Sequence, residues 1–237
     1  MSNVSLLTEK AKSGDIKAMR ELVRRHMEGD GVEVNPEAVC DWLEKAATLG
    51  DAESQADWAD IIRATDGDPE EAFRWTQKSA EQGFPLAQHN LAVCFKDGIG
   101  TPVNLEKQCH WYQKAAENGW VESQLQLSRC YLHGDGIPQD FQRSVYWLQQ
   151  AANQGNAEAK RRLGVAYHEG IGIEIDKEKG LALLREAASL GDETAKELLN
   201  SRSGTGGGCL VSIAVLGTLV TSSICCLILF APIVWKF

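Results

Sequence analysis

The sequence predicts an all-α protein: an α/α superhelical solenoid of about five helix-hairpin repeats, followed by one C-terminal transmembrane helix. Three observations carry this. A glycine recurs at Gly14, Gly50, Gly83, Gly119, Gly155 and Gly191, at intervals of 36, 33, 36, 36 and 36 residues, typically after a small-residue run such as Ala116-Glu-Asn. Self-similarity at such a period marks stacked supersecondary units. Apolar residues keep step with that glycine at helical spacing, and the stretch from Cys209 to Val234 contains no charged residue.

Each unit can be justified element by element. Four and eight residues after the glycine come Ala18/Leu22, Ala87/Leu91, Ser123/Leu127 and Ala159/Leu163, with Phe95, Tyr131 and Tyr167 twelve after it. Steps of four place these on one face of a first helix. A Gly-x-Gly pair follows at Gly29/Gly31, Gly98/Gly100, Gly134/Gly136 and Gly170/Gly172, as a hairpin needing positive φ requires. A phosphate-cradling loop would follow a strand and continue into Gly-Lys-Ser/Thr, and neither condition is met. Asn35, Asp68, Asn104, Asp140 and Asp176 then stand where a second helix needs an N-cap. On the second turn of each second helix stand Trp42, Trp75, Trp111, Trp147 and Leu183, with Leu6 in a lone opening half-unit, and the tryptophans are expected to bury between helices.

First and second helices are thus expected near 15–28 and 36–48, 51–65 and 69–81, 84–97 and 104–117, 120–133 and 140–153, and 156–169 and 176–189. Residues 5–12 precede them as a cap, and a truncated helix begins at Asp192. The unit between Gly50 and Gly83 is three residues short and keeps only Gly67 in its hairpin, so that turn should be tighter than its neighbours.

The motif Ala159-Lys-Arg-Arg-Leu-Gly-Val-Ala-Tyr-His-Glu-Gly-Ile-Gly, with Trp111-Tyr-Gln-Lys-Ala-Ala-Glu-Asn-Gly as the second half of a unit, resembles the Sel-one-like repeat family, relatives of the tetratricopeptide repeats. The resemblance spans roughly residues 5 to 200. It implies a solenoid that binds other proteins as a scaffold or adaptor, and it brings no catalytic residues with it. Secreted members bridge adjacent helices with paired cysteines; those positions here hold Ala or Ser. Cys40 and Cys109 share one repeat position, and Cys94 and Cys130 another, so they are expected as free, buried thiols in a reducing compartment.

Three segments result: a repeat domain over 1–200, a Gly/Ser-rich linker over 201–208, and a transmembrane helix over 209–235. The 23 residues from Cys209 to Ala231 would make a helix of roughly 35 Å, enough to cross a hydrocarbon core of about 30 Å with some tilt. No secretory signal opens the chain, so the repeat domain is expected in the cytoplasm with the C-terminus on the opposite side of the membrane. Net charge is −9, and residues 201–237 hold Arg202 and Lys236 but no acid, which leaves −11 on the first 200. Such a domain is a poor ligand for nucleic acid.

No enzyme is expected. His26, His89, His110, His133 and His168 join no metal-spaced motif, no nucleophile motif occurs, and neither cofactor nor small-molecule substrate is called for. The function expected is a membrane-tethered scaffold that docks a partner protein, or an acidic peptide segment, on the concave face; the alternative is a regulator or immunity-type protein that binds and blocks a toxin or enzyme. By the resemblance to tetratricopeptide solenoids, partner contacts fall three, six, ten and thirteen residues after each repeat glycine. Those positions include Arg20, Arg24, Arg63, His89, Lys96, Arg129 and Arg161, set among Glu53, Asp60, Glu122 and Glu158.

Overall fold

The computed structural model describes residues 3–203, and these form twelve α-helices with no strand among the described residues. A capping helix, α1 (Asn3–Lys12), is followed by five hairpins: α2 (Ile16–Glu28) with α3 (Pro36–Thr48), α4 (Ala52–Ala64) with α5 (Pro69–Glu81), α6 (Pro85–Asp97) with α7 (Leu105–Glu117), α8 (Val121–His133) with α9 (Phe141–Asn153), and α10 (Ala157–Glu169) with α11 (Lys177–Ser189). A last first-type helix, α12 (Glu193–Ser203), closes the row. Each helix packs chiefly on its chain neighbours, as a solenoid requires. The expected transmembrane helix at 209–235 lies outside the described residues, as does most of the linker; among the described helices none is long and apolar enough to cross a membrane.

Local chemistry sets these boundaries. The side chains of Asn35, Asp68, Asn104, Asp140 and Asp176 each accept a backbone N–H in the first turn of the second helix they precede. Asp15, Asp51 and Asn156 do the same for α2, α4 and α10, whereas Phe84 and Trp120 begin α6 and α8 without a side-chain cap. The hairpin after α4 runs over 65–68 only, against 29–35, 98–104, 134–140 and 170–176 elsewhere, and it places Asp66 at φ 53. That is the tighter turn the missing three residues demand.

The second glycine of the longer hairpins has a packing reason beyond its positive φ. A Cβ on Gly136 would lie 2.2 Å from the carbonyl oxygen of Leu105, and one on Gly172 would lie 2.2 Å from that of Phe141. These two hairpins, and that of Gly100 against the Pro69 carbonyl, therefore seat on the start of the preceding unit's second helix, an approach that only a residue without Cβ permits.

The core is a file of small clusters between units. Leu22, Leu91, Leu127, Leu163 and Leu184 are fully buried, as are alanines such as Ala47, Ala59, Ala87, Ala115 and Ala151. Trp42, Trp75, Trp111 and Trp147 are only half-buried, a correction to the expectation of buried tryptophans; the fully buried aromatic is Tyr112. Three of these indoles carry a lysine three residues on. The Nζ atoms of Lys45, Lys78 and Lys114 stand 4.6, 4.1 and 5.6 Å from the rings of Trp42, Trp75 and Trp111. The Trp-x-x-Lys element thus shields an indole with an aliphatic stem and a cation.

Candidate protein-docking face

Polar side chains join three pairs of neighbouring first helices, α2 to α4, α6 to α8 and α10 to α12. In those units the residue six positions after the repeat glycine reaches the start of the next unit's first helix; in the other two that position holds Ala56 and Leu125. Arg20 bonds Glu53 and lies 4.0 Å from Asp51; Arg161 Nε donates to the carboxylate of Asp192 at 3.0 Å; and His89 Nδ1 lies 2.8 Å from Ser123 Oγ, its ring 6.4 Å from that of Trp120. Burial pulls the His89 pKa below its usual value, with the charge of Glu122 opposing, which favours the neutral imidazole.

A second set of bonds runs behind this face. Gln55, Gln88 and Gln124, five after a glycine and buried, donate to the carbonyls of Ala47, Ala80 and Ala116. Their own amide oxygens accept from Gln82 at 2.8 Å, Asn118 at 2.9 Å and Gln154 at 3.0 Å, each one residue before the next glycine. The sequence reading missed this amide ladder, although glutamine at one repeat position in three successive units signals it.

The seven residues expected to contact a partner are therefore not equivalent. Arg20 and Arg161 are committed to the repeat junctions, and His89 is packed between Tyr112 and Trp120. Arg24 is ringed by Glu21, Glu28 and Asp30, and its guanidinium together with that of Arg25 holds the Glu21 pKa down at about 2. Arg63 bonds Asp60 and the hydroxyl of Thr76. Lys96 lies 3.5 Å from Asp97. Arg129 is exposed and meets no carboxylate among the described residues; its polar contact is the Gln126 side chain at 3.5 Å.

Acids of the face also interact. Burial first, then the charges of Glu53 and Asp60, raise the Asp57 pKa to about 6, with Arg20 opposing. Among the described residues no three His, Cys, Asp or Glu side chains gather as metal ligands. The four cysteines described are free thiols, three buried and Cys40 half-buried.

A family model for the Sel1 repeat matches residues 16–51, 62–84, 85–120, 121–156 and 157–192. The chain belongs to the Sel1 repeat family. Its match in the second unit, 62–84, leaves out most of α4. Among solved structures, a protective antigen of uropathogenic Escherichia coli with an SLR fold is 30% identical, with a TM-score of 0.76 over 82% of this chain. This chain spans only 42% of that protein's length. A Sel1 repeat protein from Oxalobacter formigenes is 28% identical, with a TM-score of 0.71, covering 84% of this chain and 89% of the other. A comparison with curated proteins gave no match. Sel1 repeat proteins are protein-interaction scaffolds, and their solenoid is typically non-catalytic.

Proposed function

We propose that this Sel1 repeat protein is a membrane-tethered docking module that binds a partner protein along the face made by its first helices. The observation that carries the reading is how that face is built. Junction bonds at Arg20, His89 and Arg161 tie α2 to α4, α6 to α8 and α10 to α12, while residues such as Lys17, Arg24, Lys96 and Arg129 stay exposed along the first helices. A preformed face of this kind loses little entropy on binding, which favours a folded or extended protein ligand. The uncharged run from Cys209 to Val234 supports tethering, and the free thiols Cys94, Cys109 and Cys130 support a cytoplasmic repeat domain.

Capture from detergent extract tests the docking. Arg129→Glu combined with Lys96→Glu reverses two exposed cations of the face and leaves the junction bonds in place. The double variant should keep its helicity and lose the partner; retention of the same partner at the same salt would move docking off this face. An activity assay on the captured protein then tells scaffold from blocker. Protease added outside intact cells should leave the repeat domain whole, and digestion of that domain with a cytoplasmic control intact would reverse the orientation.

A further inference from the structure

An apolar recess lies between α8, α9 and α10. It is a cavity of about 160 Å³ whose walls are Leu132, Val145, Leu148 and Val165. The hydroxyls of Ser128 and Ser144 border it, but they lie 3.0 Å apart and satisfy each other, so they ask nothing of a ligand. Arg161 and Arg162 stand at its edge, their side chains only 16% and 26% exposed.

Charge around this cavity is unbalanced. Arg162 bonds Glu158 at 2.6 Å; Arg161 bonds Asp192 and lies 3.9 Å from the same Glu158. Arg129 on the adjoining helix has no acid partner among the described residues, and its field reaches Arg162. Three guanidiniums thus share two carboxylates, inside a domain whose average charge is strongly negative. Burial first of all pulls the Arg162 pKa below its ordinary value, with Glu158 opposing and the charges of Arg129 and Arg161 adding to the shift. A guanidinium carries five donors, and the bond to Glu158 leaves most of those on Arg162 unspent.

We propose that this cavity is a docking pocket for the C-terminal residue of a partner protein, a branched aliphatic or aromatic side chain entering between Leu132 and Val165 while the α-carboxylate meets Arg162 and Arg129. The size selects one side chain: an apolar cavity of about 150 Å³ holds a benzene-sized group, which leaves no room for a lipid acyl chain. The anion requirement follows from the unbalanced guanidiniums, since arginine pairs a carboxylate through two parallel N–H bonds. The inference rests on the docking function proposed above and names the chemistry of the ligand.

Fluorescence anisotropy on the full-length chain tests it with three dye-labelled probes: Gly-Ser-Gly-Ala-Leu as the free acid, the same peptide as its C-terminal amide, and Gly-Ser-Gly-Ala-Asp. The free-acid leucine peptide should bind saturably and at least tenfold more tightly than either of the others. Arg162→Gln should weaken it by at least tenfold, and so should the independent wall variant Leu132→Asn, both with helicity unchanged. Equal affinity for acid and amide, no saturable binding of the leucine acid, or full binding by both variants would overturn the pocket. If the wild-type chain still captures a partner while the peptide fails, the pocket alone falls; if no partner is captured, the docking function falls with it.

Discussion

Arg161 and Asp192 form the least exposed ion pair among the described residues, 3.0 Å apart with 16% and 11% of their side chains exposed, and they join α10 to α12. Asp192 also caps α12, accepting the N–H of Ala195 at 2.8 Å. One carboxylate therefore both starts the last helix and fastens it. Arg161→Ala should cost about 1–3 kcal/mol, and Asp192→Ala somewhat more because the cap is lost too. Hydrogen exchange should show the loss concentrated in α12. Uniform loosening of all twelve helices would mean that the pair does not act locally.

The amide ladder makes a second expectation. Gln88→Leu leaves the buried carbonyl of Ala80 and the side-chain amide of Asn118 without their partner, a loss of about 1–3 kcal/mol. Gln113→Leu, on the exposed side of α7, should change stability by no more than about 0.5 kcal/mol. Chemical denaturation compares the two, and equal effects would contradict the ladder.

Much of this architecture is legible in the sequence, and the limits have physical causes. Caps such as Asn104 and hairpin glycines such as Gly134 act within a few residues, so their spacing alone places the helix ends. The roles of Arg20, His89 and Arg161 are not legible that way. Helical spacing puts them outward, and only the offset of the next unit brings Asp51, Ser123 and Asp192 within reach. Gln88 reads as a solvated helix residue until Ala80 and Asn118 are placed beside it. The tryptophans misled in the opposite direction: indole size suggests burial, but Trp111 is half-buried with Lys114 over its ring.

Two glycines separate conformational strain from steric exclusion. Gly119 has φ 85 with nothing within 4 Å of a Cβ, whereas Gly136 has φ 74 and its Cβ would strike the Leu105 carbonyl. Gly119→Ala should cost about 1–2 kcal/mol for the left-handed backbone. Gly136→Ala should cost about 2–5 kcal/mol, since overpacking adds to that strain. Thermal melts that rank them the other way would deny the hairpin-on-helix contact.

The Asp57 carboxyl gives a pH dependence of defined sign. Its folded pKa of about 6 exceeds the ordinary 3.8, so its contribution to stability is full below that ordinary value and is lost as pH rises through 6. Asp57→Asn should therefore raise the melting temperature at pH 8, by the equivalent of roughly 1 kcal/mol after allowance for partial exposure, and leave it nearly unchanged at pH 4. The same gain at both values would remove the electrostatic cause.

Hydrogen exchange on the captured complex, compared with the free protein, tests the docking face most directly. Binding should slow exchange along α6, α8 and α10, most strongly around Arg129 and Arg162. Protection confined to α3, α5, α7 and α9, with the first helices unchanged, would contradict it.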